Sequence, residues 1–180
     1  MNYLNTIQEI KQHRSSTKVK MRQLLAVLEE LDHEAKEQTM TTLDDEEVVK
    51  AIHELYADFH YSYPSIEVVT AHKKMIDRLK NQFSNKEAFF FPYTAILQGY
   101  ASNHDIEDME ALKTDLLTTY PEHDLTIYHA IFSGLNIHPD QALLKTYYQA
   151  ILTIEPKNEE DAKHLEAIHE IYESLIWKKK

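Results

Sequence analysis

Apolar residues recur along most of the chain at the three- and four-residue steps that are typical of amphipathic α-helices. Over residues 1–39 they follow heptad spacing, with Arg14 and Thr17 interrupting the apolar face and Ser15–Ser16 offering an N-cap. We therefore predict two helices here, over about 2–14 and 16–39. The heptad positions are Tyr3, Ile7, Ile10, Arg14, Thr17, Met21, Leu24, Leu28, Leu31, Ala35 and Gln38.

This N-terminal arm has two interpretations. It is an amphipathic helix pair that packs on the rest of the chain, or a coiled coil that forms a homodimer through residues 1–39. About three heptads carry apolar residues at both core positions, which is the lower limit for predicting a coiled coil. In either case we expect an arm over residues 1–40 and a helical domain over residues 44–180.

Two more helices are predicted in the middle of the chain. Thr41–Thr42 precedes four acidic residues, a pattern typical of a helix start, and helical spacing continues to about residue 61. Pro64 suits the first turn of the next helix, whose apolar stripe runs to Phe83 and ends at Ser84–Asn85. This part of the chain therefore adds two amphipathic helices.

The C-terminal half contains an internal repeat. Residues 93–123 and 128–158 align without a gap at an offset of 35 and are identical at eight of 31 positions, where chance gives about two. Both glycines of the chain occupy the same position of this repeat. The identical pairs are Tyr93/Tyr128, Ala95/Ala130, Ile96/Ile131, Gly99/Gly134, Asp105/Asp140, Leu117/Leu152, Thr118/Thr153 and Pro121/Pro156.

Each repeat predicts a hairpin of two helices, A and B. Helix A ends near Asn103 or His138, the shared Asp lies in the first turn of helix B, and helix B ends just before the shared Pro. The glycine lies in the middle of helix A, where it costs about 1 kcal/mol relative to Ala, so we expect a neighbouring helix to approach it closely. Residues 159–177 predict a capping helix.

The hairpin period, the glycine in helix A, the positions Leu143, Tyr147 and Ala150 in helix B, and the closing Pro156 resemble a divergent tetratricopeptide repeat. The resemblance covers about 85 residues. It implies a right-handed solenoid of antiparallel helix hairpins, with an irregular helical bundle as the alternative. It also implies a groove, formed by the A helices, that binds a protein or peptide. The candidate groove residues are Tyr93, Ile96, Tyr100, Tyr128, Ile131 and Leu135.

Composition supports an all-α fold with about eight or nine helices and excludes several kinds of catalytic site. The chain has 180 residues but two Gly, where average usage gives about 12, so glycine-rich phosphate loops and nucleophile elbows are not expected. It has no Cys, which excludes disulfides, thiolate metal sites and cysteine nucleophiles. We therefore expect a protein that is not an enzyme and has no cofactor.

Charge is distributed unevenly. The net charge is −11, yet residues 1–22 carry five basic residues against Glu9, which leaves −15 over residues 23–180. Nucleic-acid binding is unfavourable, because an acidic body repels phosphates. An acidic protein that mimics nucleic acid is one alternative function. No membrane span or secretory signal is apparent, so we expect a cytoplasmic protein.

Two further patterns suggest candidate sites. Glu-x-x-His pairs, which supply ligands in di-iron helical bundles, occur at Glu30/His33 and Glu166/His169, and a metal-binding bundle or metalloenzyme is the other alternative. Aromatic residues cluster in His53–Pro64 and in Phe89–Phe91. Core packing is the expected role of both runs, and a member that is exposed would form a binding patch.

Overall fold

The computed structural model describes residues 3–36, 47, 50, 51, 53, 54, 65–82 and 86–177. Every regular element in these ranges is helical and none is a strand, which confirms the all-α prediction. Eight helices have defined bounds, and residues 47, 50, 51, 53 and 54 are also helical. The helices are α1 (Tyr3–Gln12), α2 (Thr17–Lys36), α3 (Ile66–Gln82), α4 (Phe90–Ser102), α5 (Ile106–Thr119), α6 (Asp124–Leu135), α7 (Gln141–Ile151) and α8 (Glu159–Trp177), with 3-10 turns at Glu87–Phe89 and Pro121–His123.

The chain forms two compact units, Met1–Tyr93 and Thr94–Lys180, and the boundary between them lies inside α4. We refer to them as unit 1 and unit 2. The expected division into an arm over 1–40 and a domain over 44–180 stays a prediction.

In unit 1, the two N-terminal helices pack against each other. α1 contacts α2, and α2 contacts α3, so the helix pair of the arm packs within its own chain. Tyr3, Ile7 and Ile10 of α1 and Leu24 of α2 are buried, as the heptad pattern requires of core positions. Homodimerisation through residues 1–39 stays a prediction.

Local capping sets where two of these helices begin. The Ser16 hydroxyl accepts a hydrogen bond from the Val19 amide at 3.4 Å, so the predicted cap of α2 is confirmed. The Ser65 hydroxyl does the same for α3, accepting from the Val68 amide at 3.4 Å. The predicted helix start at Thr41–Thr42 and the predicted ends at Phe83 and Ser84–Asn85 lie outside the described residues.

Unit 2 is organised around α6. This helix contacts α5, α7 and α8, and its Gly134 lies against α4. Ile127, Ile131 and Phe132 of α6 are fully buried. The predicted hairpins correspond in sequence to α4 followed by α5 and to α6 followed by α7, and α8 has the predicted bounds 159–177. The arrangement of these helices as a repeat stays a prediction.

Two details of the repeat differ from the prediction. Gly99 and Gly134 lie in the last turns of α4 and α6, not in the middle, because these helices end at Ser102 and Leu135. Asp105 and Asp140 are the N-caps of α5 and α7 and therefore precede the first turn. A short polar side chain satisfies the free amides at a helix start best from the cap position itself.

The two shared prolines also lie in different surroundings. Pro121 begins a 3-10 turn directly after α5, as predicted. α7 ends at Ile151, well before Pro156, which shows that the closing Pro of the second repeat does not end its helix. The next helix, α8, begins after Asn158, whose side-chain oxygen accepts a hydrogen bond from the Asp161 amide at 2.8 Å and caps the helix.

Among the described residues, the structure contains no helix that is both long and apolar enough to cross a membrane.

Candidate functional site

The residues predicted to line a groove are mostly core residues in the structure. Five of the six side chains are at most 4% exposed to solvent, and Tyr128 is half-buried. The five are Tyr93, Ile96, Tyr100, Ile131 and Leu135. Side chains this deep stabilise the fold by removing apolar surface from water, so a partner can contact them only if the core opens.

Tyr93 shows how such a residue is held. Its hydroxyl donates a hydrogen bond to Asp77 at 2.6 Å, and the ammonium of Lys80 lies 5.3 Å from the centre of its ring. Asp77 also pairs with Lys73 at 2.7 Å. The polar end of Tyr93 is therefore satisfied by α3, a structural role.

The Phe89–Phe91 run contains one exposed aromatic residue. Phe89 and Phe90 are buried, whereas Phe91 is 57% exposed. Successive residues of a helix point in directions about 100° apart, so three adjacent apolar residues cannot all face the same core. Pro92 follows in the first turn of α4, where its missing N–H costs no helical hydrogen bond.

A cavity of about 460 Å³ lies beside Phe91 in unit 1. This volume is within the range of sites that take a small molecule or a large side chain. The wall combines apolar surface from Ala88, Phe91 and Pro92 with charged side chains. The described lining residues are Lys50, His53, Glu54, Glu87, Ala88, Phe91 and Pro92.

His53 is the polar group set deepest in this wall. Its Nδ1 is buried and has no hydrogen-bond partner among the described residues. Its ring stacks on that of His72 with centroids 6.3 Å apart. Burial lowers the pKa of His53 below its usual value, while the charge of Glu54 acts in the opposite direction. The imidazole is therefore biased towards its neutral form, which donates one hydrogen bond from one ring nitrogen and accepts one at the other.

A second cavity of about 220 Å³ adjoins α1 and shares Lys50 and Glu54 with the first. Across it, Lys11 contacts Glu54 at 2.6 Å, and this interaction lowers the pKa of the Glu54 carboxyl. Both side chains are more than 40% exposed, so the pair adds little stability. It does connect the basic arm to an acidic position of the same unit.

The sequence identified part of this site. It indicated that an exposed member of Phe89–Phe91 would form a binding patch, and it drew attention to the run that begins at His53. It did not identify Lys50, Glu87 or Ala88, which carry no motif. The remaining aromatic residues of His53–Pro64 lie outside the described residues.

The two Glu-x-x-His pairs lie in different units, Glu30/His33 in unit 1 and Glu166/His169 in unit 2, and metal binding by either stays a prediction. Glu166 is exposed, and the Nδ1 of His169 lies 2.6 Å from the hydroxyl of Tyr148. Tyr148 in turn stacks on Tyr172, with centroids 3.7 Å apart. Glu30 is exposed, and the side chain of His33 lies outside the described part.

Comparisons with protein-family models, curated proteins and solved structures find no match to this chain.

Proposed function

We propose that this protein is a non-enzymatic helical module that binds a protein or peptide, and that the cavity beside Phe91 receives an apolar side chain of the partner. The observation that carries the proposal is the 57% exposure of Phe91 at the edge of a 460 Å³ cavity. An exposed aromatic residue next to a concave surface is typical of binding hot spots, because such residues bury a large area on binding.

The charges around the cavity favour a particular partner. Two carboxylates, Glu54 and Glu87, and one ammonium, Lys50, are among its lining groups. The whole chain carries −11, which attracts cationic partners over distances of about 10 Å at moderate salt. We therefore propose a segment that combines an aromatic or large aliphatic side chain with flanking Lys or Arg residues.

The repeat architecture supports the role of an adaptor or regulator. Stacked helix hairpins in the manner of tetratricopeptide repeats provide extended surfaces rather than catalytic loops. In unit 2, α6 contacts helices on both sides of it in sequence, as expected of an inner helix of such a stack. This organisation supports a tetratricopeptide-like interpretation of residues 93–177, which is part of the proposal.

The chemistry of the cavity supports binding rather than catalysis. Its described lining offers no Ser, Thr or Tyr hydroxyl that could serve as a nucleophile beside His53. Its groups instead combine apolar area with charges at exposed positions, an arrangement that orients a ligand.

A peptide library tests the proposal without knowledge of the natural partner. A phage-displayed library of random 12-residue peptides is selected on the full chain, and the enriched peptides are then measured by fluorescence polarisation. We expect enrichment of peptides with an aromatic residue next to Lys or Arg. The Phe91→Glu variant should weaken their binding at least tenfold.

Ile137→Glu is the matched control, because Ile137 is similarly exposed at 52% but lies in unit 2. It should leave binding unchanged. A second variant, Ala88→Trp, fills the cavity and should also weaken binding while Phe91 is intact. Peptides that bind Phe91→Glu and Ala88→Trp as well as the original chain would refute this site, and selection of no peptide would refute the function.

A further inference from the structure

Two histidines of unit 2 meet across the contact between α6 and α8. The Nδ1 of His129 lies 2.7 Å from the Nδ1 of His164, and the ring centroids are 4.8 Å apart. The two positions are separated by 35 residues, which is also the offset of the repeat. His164 lies beyond the second repeat, and the two histidines meet because α6 packs against α8.

At this distance, the two nitrogens share one hydrogen. One ring donates an N–H from Nδ1 and the other accepts it, because two neutral rings protonated at both facing nitrogens would repel each other. Both Nδ1 atoms therefore face the same small volume. Imidazole nitrogen is the preferred protein ligand of zinc, copper and nickel ions.

A carboxylate lies on the far side of one of these rings. The Nε2 of His164 is 3.8 Å from a carboxylate oxygen of Glu160, one turn earlier on α8. In metal sites, a ligating histidine usually faces a carboxylate or carbonyl with its other nitrogen, which fixes the tautomer and makes the ligating nitrogen more basic. Glu160 has this position relative to His164.

From this geometry we infer that His129 and His164 form a binding site for a divalent late first-row transition metal, zinc or copper, with Glu160 as the residue that orients His164. When the metal takes the place of the shared hydrogen, the ring that donated it changes tautomer and carries its proton on Nε2, and at His164 this nitrogen faces Glu160. Water fills the remaining positions. The site links α6 to α8. It is separate from the Phe91 cavity and from the Glu-x-x-His pairs.

The rings need to move only slightly to accept the ion. Zinc–nitrogen bonds of about 2.0–2.1 Å in a tetrahedral arrangement place the two nitrogens about 3.3 Å apart, so the pair opens by about 0.6 Å. Small rotations of both side chains achieve this within the same rotamers. The His164 side chain is 20% exposed, which gives an ion in solution a route to the pair.

The protonation state of the pair also suits a metal. Burial, and secondarily the charge of His164, lower the pKa of His129 below its usual value. This shift favours the neutral imidazole, which is the form that binds a metal ion.

Titration of the untagged, metal-free protein with Zn²⁺ or Cu²⁺ alone tests the site. Isothermal calorimetry should give one equivalent bound in the original chain, and His129→Gln or His164→Gln should weaken this binding at least tenfold. Glu160→Gln should weaken it by a smaller factor. His169→Gln, which changes another half-buried histidine of α8, is the matched control and should bind like the original chain.

A measurement on the unmodified chain guards against variants that fail to fold. Substoichiometric Cu²⁺ should broaden the NMR signals of residues 129 and 164 before those of the other histidines. Bound Zn²⁺ should also raise the midpoint of thermal unfolding, because the metal binds the folded state. Equal binding by the His129 and His164 variants, or broadening that begins at other histidines, would overturn the inference.

Discussion

Gly134 lies so close to Ala101 that no side chain fits between them. A Cβ atom built on Gly134 would be 2.5 Å from the Cβ of Ala101 and 2.5 Å from the carbonyl oxygen of Gln98, well inside van der Waals contact. The close approach of α4 and α6 therefore depends on the absence of a side chain at this position. At Gly134 this confirms the expected reason for a glycine in a helix, where Gly otherwise lowers stability.

We predict that Gly134→Ala destabilises unit 2. The higher helix propensity of Ala contributes about 1 kcal/mol in favour of folding, but overpacking against backbone typically costs about 1–3 kcal/mol. The carbonyl of Gln98 belongs to α4 itself, so a side-chain rotation cannot relieve the clash. Urea unfolding followed by circular dichroism should give a lower free energy of unfolding for the variant.

The double variant Gly134→Ala with Ala101→Gly is the control for this mechanism. It removes the clash between the two Cβ atoms but leaves the one with Gln98, so it should recover part of the lost stability after the cost of Ala101→Gly alone is subtracted. A Gly134→Ala variant as stable as the original chain would contradict the close approach.

His104 lies two residues after the end of α4 and has a backbone conformation that favours glycine. Its φ is +56°, and the amides of His104 and Asp105 donate to the carbonyls of Ala101 and Tyr100, as in a Schellman motif. A residue with a side chain is strained in this region by about 1 kcal/mol. We therefore predict that His104→Gly raises the free energy of unfolding by about 1 kcal/mol, measured in urea.

His104→Ala separates backbone strain from loss of the imidazole, since Ala is strained at positive φ as His is. His104→Ala should therefore not raise the free energy of unfolding. A gain of equal size for Ala and Gly would mean that the side chain of His104, not its backbone, is unfavourable.

The two helix caps of the repeat are expected to differ in strength. Asp140 accepts hydrogen bonds from the amides of Ala142 and Leu143, both at 3.0 Å, whereas Asp105 accepts one from Asp108 at 3.4 Å. We predict that Asp140→Ala costs about 1–2 kcal/mol and Asp105→Ala about 0.5 kcal/mol. Thermal or urea unfolding of the two variants makes the comparison, and the reverse order would contradict it.

Stability should fall as the solution is acidified below pH 6.5. The folded-state pKa of His129 lies below its usual value of 6.5, because burial and the charge of His164 disfavour the protonated ring. The unfolded chain then binds a proton more readily than the folded chain does. The loss of stability therefore begins as pH falls through about 6.5 and ends at the lower, folded-state pKa. Urea midpoints at pH 7.5 and pH 5.5 measure the difference.

His129→Gln should reduce this acid sensitivity, and His53→Gln should reduce it separately, since burial also lowers the pKa of His53 in unit 1. His138 is exposed, and His138→Gln serves as the control that leaves the pH dependence unchanged. If His129→Gln and His138→Gln respond to acid in the same way, the neutral state of His129 does not contribute to stability.

The sequence predicted the helices from their local signals, but it predicted only part of the candidate site. α8 begins and ends at the predicted residues 159 and 177 because apolar spacing and capping are encoded within a few residues of each helix end. The position of Gly134 within α6 was predicted less well. The second repeat has a turn after Leu135 that the apolar pattern does not reveal.

Phe91 and His129 illustrate features that the sequence does not predict. The run Phe89–Phe91 before Pro92 predicts an apolar segment, but which phenylalanine is exposed depends on the direction in which α4 leaves the preceding turn. His129 and His164 each lie in an ordinary amphipathic helix, and no local pattern indicates that they meet. Both features arise from contacts between distant segments.

The sequence by itself therefore determined the all-α class, the succession of helices and local caps such as Ser16, because these depend on helical period and on backbone groups within one turn. The requirement for glycine at position 134 comes instead from the close approach of α4, which is a tertiary contact. Tertiary structure decided which apolar residues became core, so that Ile131 is buried while Phe91 borders a cavity. It also decided that His129 contacts His164. Burial and side-chain pairing depend on how whole helices pack against one another, and that packing is a property of the assembled fold.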